Sequence, residues 1–266
     1  MSPDLAIEVR DLGKRFRLVR TNASRALHRK IEEILYSAVG RKARVEDEGG
    51  PHEMEELWAL RNVSFDVRRG EIFGVLGGNG AGKSVLLKIL TRVMVPTEGN
   101  AWIRGRAGSV LQLGSVVHPE LTGRENIYHG AAMLGLSKAF TDSRFDEIVE
   151  FSGLEEFLHV PMKRYSSGMQ GRLMFSIFSQ METELMFIDE ALSVGDEQFR
   201  LRCQERMRRL AEEGRTILVV SHDMAFINNF CHRGMLLEKG RVAVIGTGEE
   251  VTAAYSASLK RKKGQG

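Results

Sequence analysis

The sequence predicts an α/β fold built on a largely parallel sheet. Three observations carry that prediction. The runs 72–76 (IFGVL), 185–188 (LMFI) and 216–220 (TILVV) are apolar without alternation, as strands buried on both faces require. Apolar residues at helical spacing fill the stretches between them. A glycine-rich turn at 77–82 follows the first run and opens onto a helix-forming segment.

In chain order, Leu5 to Val9 reads as a first strand. A polar insertion follows, from about 17 to 57. Within it Ala26, Leu27, Ile31, Ile34, Leu35 and Val39 recur near helical spacing, and 46–51 ends in the flexible Gly49-Gly50-Pro51. Val63 to Val67 alternates as a strand, and Arg69-Gly70 is the turn into 72–76. Val85 to Leu90 begins a helix. A middle region from about 115 to 181 is helical over 124–136, 144–153 and 168–181. A charged helix at 197–213 separates the two later strands, and 235–238 with 242–245 makes a closing hairpin.

Composition excludes several classes. The 266 residues are 42% hydrophobic and 27% charged, an ordinary globular balance. The net charge of +3 is too small to make nucleic acid the main partner. Cys203 and Cys231 cannot form a disulfide framework and suit a reducing compartment. No apolar run reaches the roughly 18 residues of a membrane span, and the N-terminus lacks a signal core, so a cytoplasmic location is expected. Charge is blocky, however. Residues 10–44 hold eleven Lys/Arg against three acids, 45–57 hold six acids and no Lys/Arg, and the chain closes on Lys260, Arg261, Lys262 and Lys263. Such blocks read as solvated segments, or as faces toward an anionic membrane. The helix at 25–39 is equally open to packing and membrane-facing roles.

Gly77, Gly78, Asn79, Gly80, Ala81, Gly82, Lys83 and Ser84 fit the phosphate-loop pattern G-x4-G-K-[ST], with the strand before and helix after that the pattern needs. Glycines let successive N–H groups turn toward phosphate oxygens, and the following helix adds its positive end. Lys83 supplies a charge to the β- and γ-phosphates, and Ser84 a hydroxyl to Mg²⁺. The second strand ends in Asp189-Glu190, two carboxylates at the sheet edge where ligands of open α/β folds sit. Asp189 is the expected Mg²⁺ ligand and Glu190 the base for an attacking water. His28, His52, His129, His159 and His232 read as surface or packing residues, Met169, Met174, Met181 and Met186 as core filler, and both cysteines as without function, while His118 has no assignable role.

Three further pieces stand in a fixed order: Gln112, the Tyr165-Ser166-Ser167-Gly168-Met169-Gln170 run, and Ser221-His222-Asp223. With the loop and the acidic strand, this set resembles the nucleotide-binding subunit of ABC transporters over nearly the whole chain. The resemblance implies an ABC ATPase domain over 1–247, comprising a parallel core, an antiparallel β subdomain and a helical signature subdomain. A C-terminal helix and basic tail would occupy 248–266.

It also implies roles. Gly77 to Ser84 and Val85 would line the ATP and Mg²⁺ site, and Lys83, Glu190 and His222 would be catalytic. Ser84, Gln112 and Asp189 would attend the metal. Ser166, Ser167 and Gly168 would reach the ATP held by the opposite copy of a head-to-tail homodimer, and Asp196 would lie in the loop beside that interface. Phe16 matches the adenine-stacking aromatic, with Trp58 as a rival.

The departures narrow the branch. Tyr165, Ser167 and Met169 replace the common Leu, Gly and Gln of the signature, and Ala191 stands where many members have Pro. With 118–126 (HPELTGREN), these resemble the ATPases that export O-antigen, capsule and teichoic acid. The implied protein is a peripheral ATPase on the cytoplasmic face of the inner membrane, docked on an integral membrane permease, with a lipid-linked polysaccharide as indirect cargo and no nucleic acid. A drug or lipid exporter ATPase, or a soluble ABC ATPase, are the alternatives.

Overall fold

The computed structural model describes residues 4–19, 54–109, 117–189 and 195–263. Two sheets organise them. The larger has strand order β5-β6-β7-β3-β8-β9, made of Ala107–Ser109, Leu185–Ile188, Thr216–Ser221, Ile72–Leu76, Arg233–Glu238 and Arg241–Gly246. All its pairings are parallel except the terminal β8–β9 hairpin. The smaller is an antiparallel three-stranded sheet, β2-β1-β4, of Met54–Arg68, Leu5–Val19 and Glu98–Ile103.

The unbroken apolar runs are explained by burial on both faces. Phe73, Val75, Leu185, Phe187, Leu218 and Val220 point toward the small sheet and helix α1 (Lys83–Leu90). Ile72, Leu76, Met186, Ile188, Ile217 and Val219 point the other way, to the core shared with the helices. The period-two alternation of a strand distributes each run between two cores.

The helices beyond α1 are α2 (Gly123–Met133), α3 (Lys138–Ser152), α4 (Ser167–Phe178), α5 (Glu197–Glu212), α6 (Met224–Phe230) and α7 (Gly248–Lys263). Helices α2, α3 and α4 pack together as a helical unit, joined by Phe145, Ile148, Met162, Leu173 and Phe175 in one cluster.

The structure differs from the sequence reading in particulars. Strand pairing continues past Val9 to Val19 and starts at Met54, so both ends of the 17–57 segment are strand. The long ribbon kinks at Asp11 and Asn62, whose positive φ angles of 48° and 52° fall where the register slips. Strands β4 and β5 were not expected, and helix α6 follows His222 unannounced. The helix expected over 25–39 lies outside the described residues.

Candidate nucleotide site

Strands β6, β7 and β3 are neighbours, and each ends at the same edge of the sheet. That edge delivers Asp189 after β6, His222 after β7 and the phosphate loop after β3. Three segments far apart in sequence thus converge at the carboxyl ends of adjacent parallel strands, where an open α/β sheet binds its ligand.

Lys83 is nearly buried, 8% exposed, at the start of α1. Its ammonium donates to the carbonyl oxygens of Gly77 at 2.7 Å and Gly78 at 3.2 Å. Those two carbonyls station the charge inside the loop it must serve. Gly82 caps α1 with φ of 105°, and a Cβ there would stand 2.5 Å from the Ala59 carbonyl. Both backbone angle and space therefore demand glycine. The β8–β9 turn and strand β2 brace the loop: Gly240 N donates to Ala81 O at 3.0 Å, and Arg61 N to Gly240 O at 2.8 Å. Ser84 is exposed one residue into the helix. The positive end of the helix suits anionic phosphate.

His222 is exposed on a turn its neighbours make. Asp223 caps α6, accepting from Ala225 N at 2.8 Å and Phe226 N at 3.1 Å, and Ser221 Oγ accepts from Asp223 N at 3.0 Å. The Ser-His-Asp run thus fixes the backbone on both sides of the imidazole.

Ser166 caps α4, accepting from Met169 N at 3.2 Å, and is exposed together with Ser167. These residues and Gly168 line an open groove with Met169, Arg172, Gly195 and Asp196, to which the phosphate loop contributes no residue. A Cβ at Gly168 would meet Gly195 Cα at 3.7 Å. Asp196 caps α5 through Phe199 N at 2.8 Å, and that bond, with Arg172 and Arg202 nearby, holds its carboxyl below the ordinary value of 3.8.

Phe16 pairs across the ribbon with Leu57, and Trp58 with Arg15. Adjacent strand positions alternate, so the two aromatics lie on opposite faces and cannot share one stacking site. Trp58 is flanked by the guanidinium groups of Arg15 and Arg61, at 5.4 and 5.3 Å from its ring.

Gln112 and Glu190 lie outside the described residues. The role of Asn126 was missed by sequence reasoning. Fully buried at the start of α2, it donates to the carbonyls of His118, Leu121 and Thr122 and accepts from His118 N. It knits the 118–126 stretch into a single turn, which an asparagine beside a Thr-x-x-Glu capping box could have signalled.

The ABC transporter family model matches residues 60–193. The chain is 42% identical to the O-antigen export system ATP-binding protein RfbB of Klebsiella pneumoniae, over 76% of this chain and 82% of that one. This chain belongs to the ABC transporter family. The ABC transporter protein AbcA of Aeromonas salmonicida is 39% identical over 90% of this chain and 74% of that one. The teichoic acids export ATP-binding protein TagH of Lactococcus lactis is 44% identical over 76% of this chain, though over 43% of its own length. The fold superposes on an ATP-binding subunit of an ABC transporter with a TM-score of 0.69 at 24% identity, covering 94% of this chain and 93% of that one. The two-sheet architecture is thus that of ABC cassettes. Among the described residues, no helix is long and apolar enough to cross a membrane.

Proposed function

We propose that this ABC family member is the ATP-hydrolysing subunit of an exporter that moves a lipid-linked cell-surface polysaccharide through a separate membrane permease. The observation that carries the reading is the similarity to O-antigen and teichoic acid export ATP-binding proteins, joined to a glycine loop after β3 and Asp189 after β6, the two strands that flank β7.

The chemistry follows from the residues. ATP enters with its phosphates over the N-terminus of α1, where backbone N–H groups of the loop and the Lys83 ammonium meet the β- and γ-phosphates. The adenine stacks on Phe16, the aromatic that the family resemblance assigns, which lies on the ribbon face opposite Trp58 with the Lys14 ammonium 5.5 Å from its ring. Ser84 Oγ and the Asp189 carboxylate are a hard oxygen pair that would hold Mg²⁺, with Gln112 as a further ligand, and the ion would supply charge neutralisation on the phosphates. Glu190 accepts a proton from the attacking water, and His222 holds the γ-phosphate.

One copy is half a site. That the phosphate loop lends no residue to the groove of Ser166–Gly168 supports a head-to-tail pair, in which each signature helix end closes over the partner's ATP. Val85 and the loop residues Asn79, Gly80, Ala81 and Gly82 complete the phosphate cradle. Closure on ATP and reopening after hydrolysis is a two-state motion that the permease converts to transport. The ATPase sits peripherally on the cytoplasmic side of the membrane.

Affinity purification from native membranes in mild detergent, with mass spectrometry of what co-elutes, tests the assignment. A stoichiometric protein with several membrane spans is expected. Recovery of the chain alone, or on ribosomes or nucleic acid, would overturn it.

A further inference from the structure

The C-terminal helix α7 makes a contact that its position at the chain end does not suggest. Its inward face carries Val251, fully buried, then Tyr255, 9% exposed, then Ser258, whose hydroxyl donates to Glu238 Oε1 at the end of β8. These positions recur at i, i+4 and i+7, one stripe of the helix. The stripe runs toward the phosphate loop. Tyr255 puts its hydroxyl beside Gly78, close enough that a Cβ on Gly78 would stand 3.4 Å from it. Next to it on the helix, Ser256 Oγ lies 3.5 Å from the sulfur of Met224, the first residue of α6 and two residues past His222.

A leucine would fill the core at 255, and burying a phenolic oxygen costs free energy without a polar surrounding. What the tyrosine adds is reach. Its ring passes through the apolar cluster and its polar end arrives at the backbone of the segment whose carbonyls, Gly77 O and Gly78 O, hold the Lys83 ammonium. Displacing that segment displaces Lys83, and sub-ångström placement of such a charge controls how well it meets phosphate.

We infer that Tyr255 is a positioning residue for the ATP site: it backs the Gly77–Gly78 turn that stations Lys83, which makes the C-terminal helix a working part of the ATPase. The inference rests on the reading of residues 77–84 as the ATP phosphate site. Without the hydroxyl end, the loop relaxes in the free protein and ATP must re-form it on binding. The loss then falls on KM and spares kcat.

The test is steady-state ATP hydrolysis by the purified full-length chain, with thermal melts alongside. Tyr255→Phe keeps the ring and the packing; its Tm should stay at the parent value while KM for ATP rises about threefold. Tyr255→Ala should raise KM about tenfold, with kcat within about twofold of the parent. Lys260→Ala, exposed on the outer side of the same helix, should leave both constants unchanged. Parent-like KM in Tyr255→Phe and Tyr255→Ala, or an equal rise in Lys260→Ala, would overturn the inference. Lys83→Ala separates the two readings. If it abolishes ATP binding while the Tyr255 variants behave as the parent, only the positioning role fails; if it binds ATP normally, the site reading fails and the inference with it.

Discussion

The hydroxyl of Tyr165 occupies the space that a side chain at Gly123 would need. It donates to Phe157 O at 2.7 Å, and a Cβ on Gly123 would overlap it. Gly123 N and Arg124 N meanwhile donate to the carbonyls of Val160 and Leu158. The start of α2 is thus docked on the segment that leads into the signature loop. Tyr165, a departure from the family's common residue, has its counterpart in the glycine of Thr122-Gly123-Arg124.

Gly123→Ala should therefore destabilise the helical unit by about 1–3 kcal/mol, the usual cost of overpacking a buried site. Adding Tyr165→Phe removes the clashing oxygen and should restore part of the loss, a non-additivity that denaturant melts of the four proteins would measure. Strict additivity would contradict the pairing.

Phe16→Ala should weaken ATP binding about tenfold, in line with the 1–3 kcal/mol that a base–aromatic stack contributes. Trp58→Ala should change it less than about twofold, because that ring packs with Arg15 and Arg61. Titration with a fluorescent ATP analogue distinguishes them. The reverse ranking would move adenine to the other face of the ribbon.

Both cysteines should be inert in the native protein. Burial pushes the Cys203 and Cys231 thiols up to about 12, so at pH 8 the reactive thiolate is scarce and the sulfurs are covered. A thiol reagent should label neither until denaturant is added, and then both. Rapid labelling of the folded chain would show that the α5 or α6 packing opens in solution.

Asp196 ties stability to acid. Its carboxyl is held below 3.8 by the Phe199 N–H bond first, with Arg172 and Arg202 adding to it. A depressed folded value means the contribution is present above 3.8 and lost as pH falls through the folded value. Asp196→Asn should lower Tm slightly at neutral pH, and the difference from the parent should vanish once the pH drops well below 3.8. A gap that persists in strong acid would place the effect in packing.

The central strands and the glycine turn between β3 and α1 were legible because burial on both faces leaves an unmistakable apolar run, and the turn takes positive φ at Gly80 and Gly82. The outer elements were not. Strand β4 exposes Trp102 to 46% and alternates weakly along a sheet edge, so its pattern does not stand out. The far ends of β1 and β2 pair Arg15 with Trp58 and Arg17 with Glu56 beyond the core, where hydrophobic periodicity fades. What braces the phosphate loop was invisible for another reason. Ala59, Leu237 and Gly240 act through backbone atoms delivered by β2, β8 and the β8–β9 turn, and backbone carries no side-chain signature.

Head-to-tail pairing has its own consequence. With Glu190→Gln, ATP should bind without being hydrolysed and trap the closed pair, doubling the mass seen by light scattering. Adding Ser166→Arg, which places a bulky cation at the signature helix start, should return the protein to a monomer. A monomer in both cases would count against the shared site.

Polymer export by this ATPase is read most directly from where the polymer accumulates when hydrolysis is blocked. Glu190→Gln placed in the chromosomal copy, followed by assay of lipid-linked polysaccharide on each side of the cytoplasmic membrane, reads this out. The prediction is accumulation of lipid-linked polymer on the inner leaflet and its loss from the cell surface. Normal surface polysaccharide in that strain would contradict it.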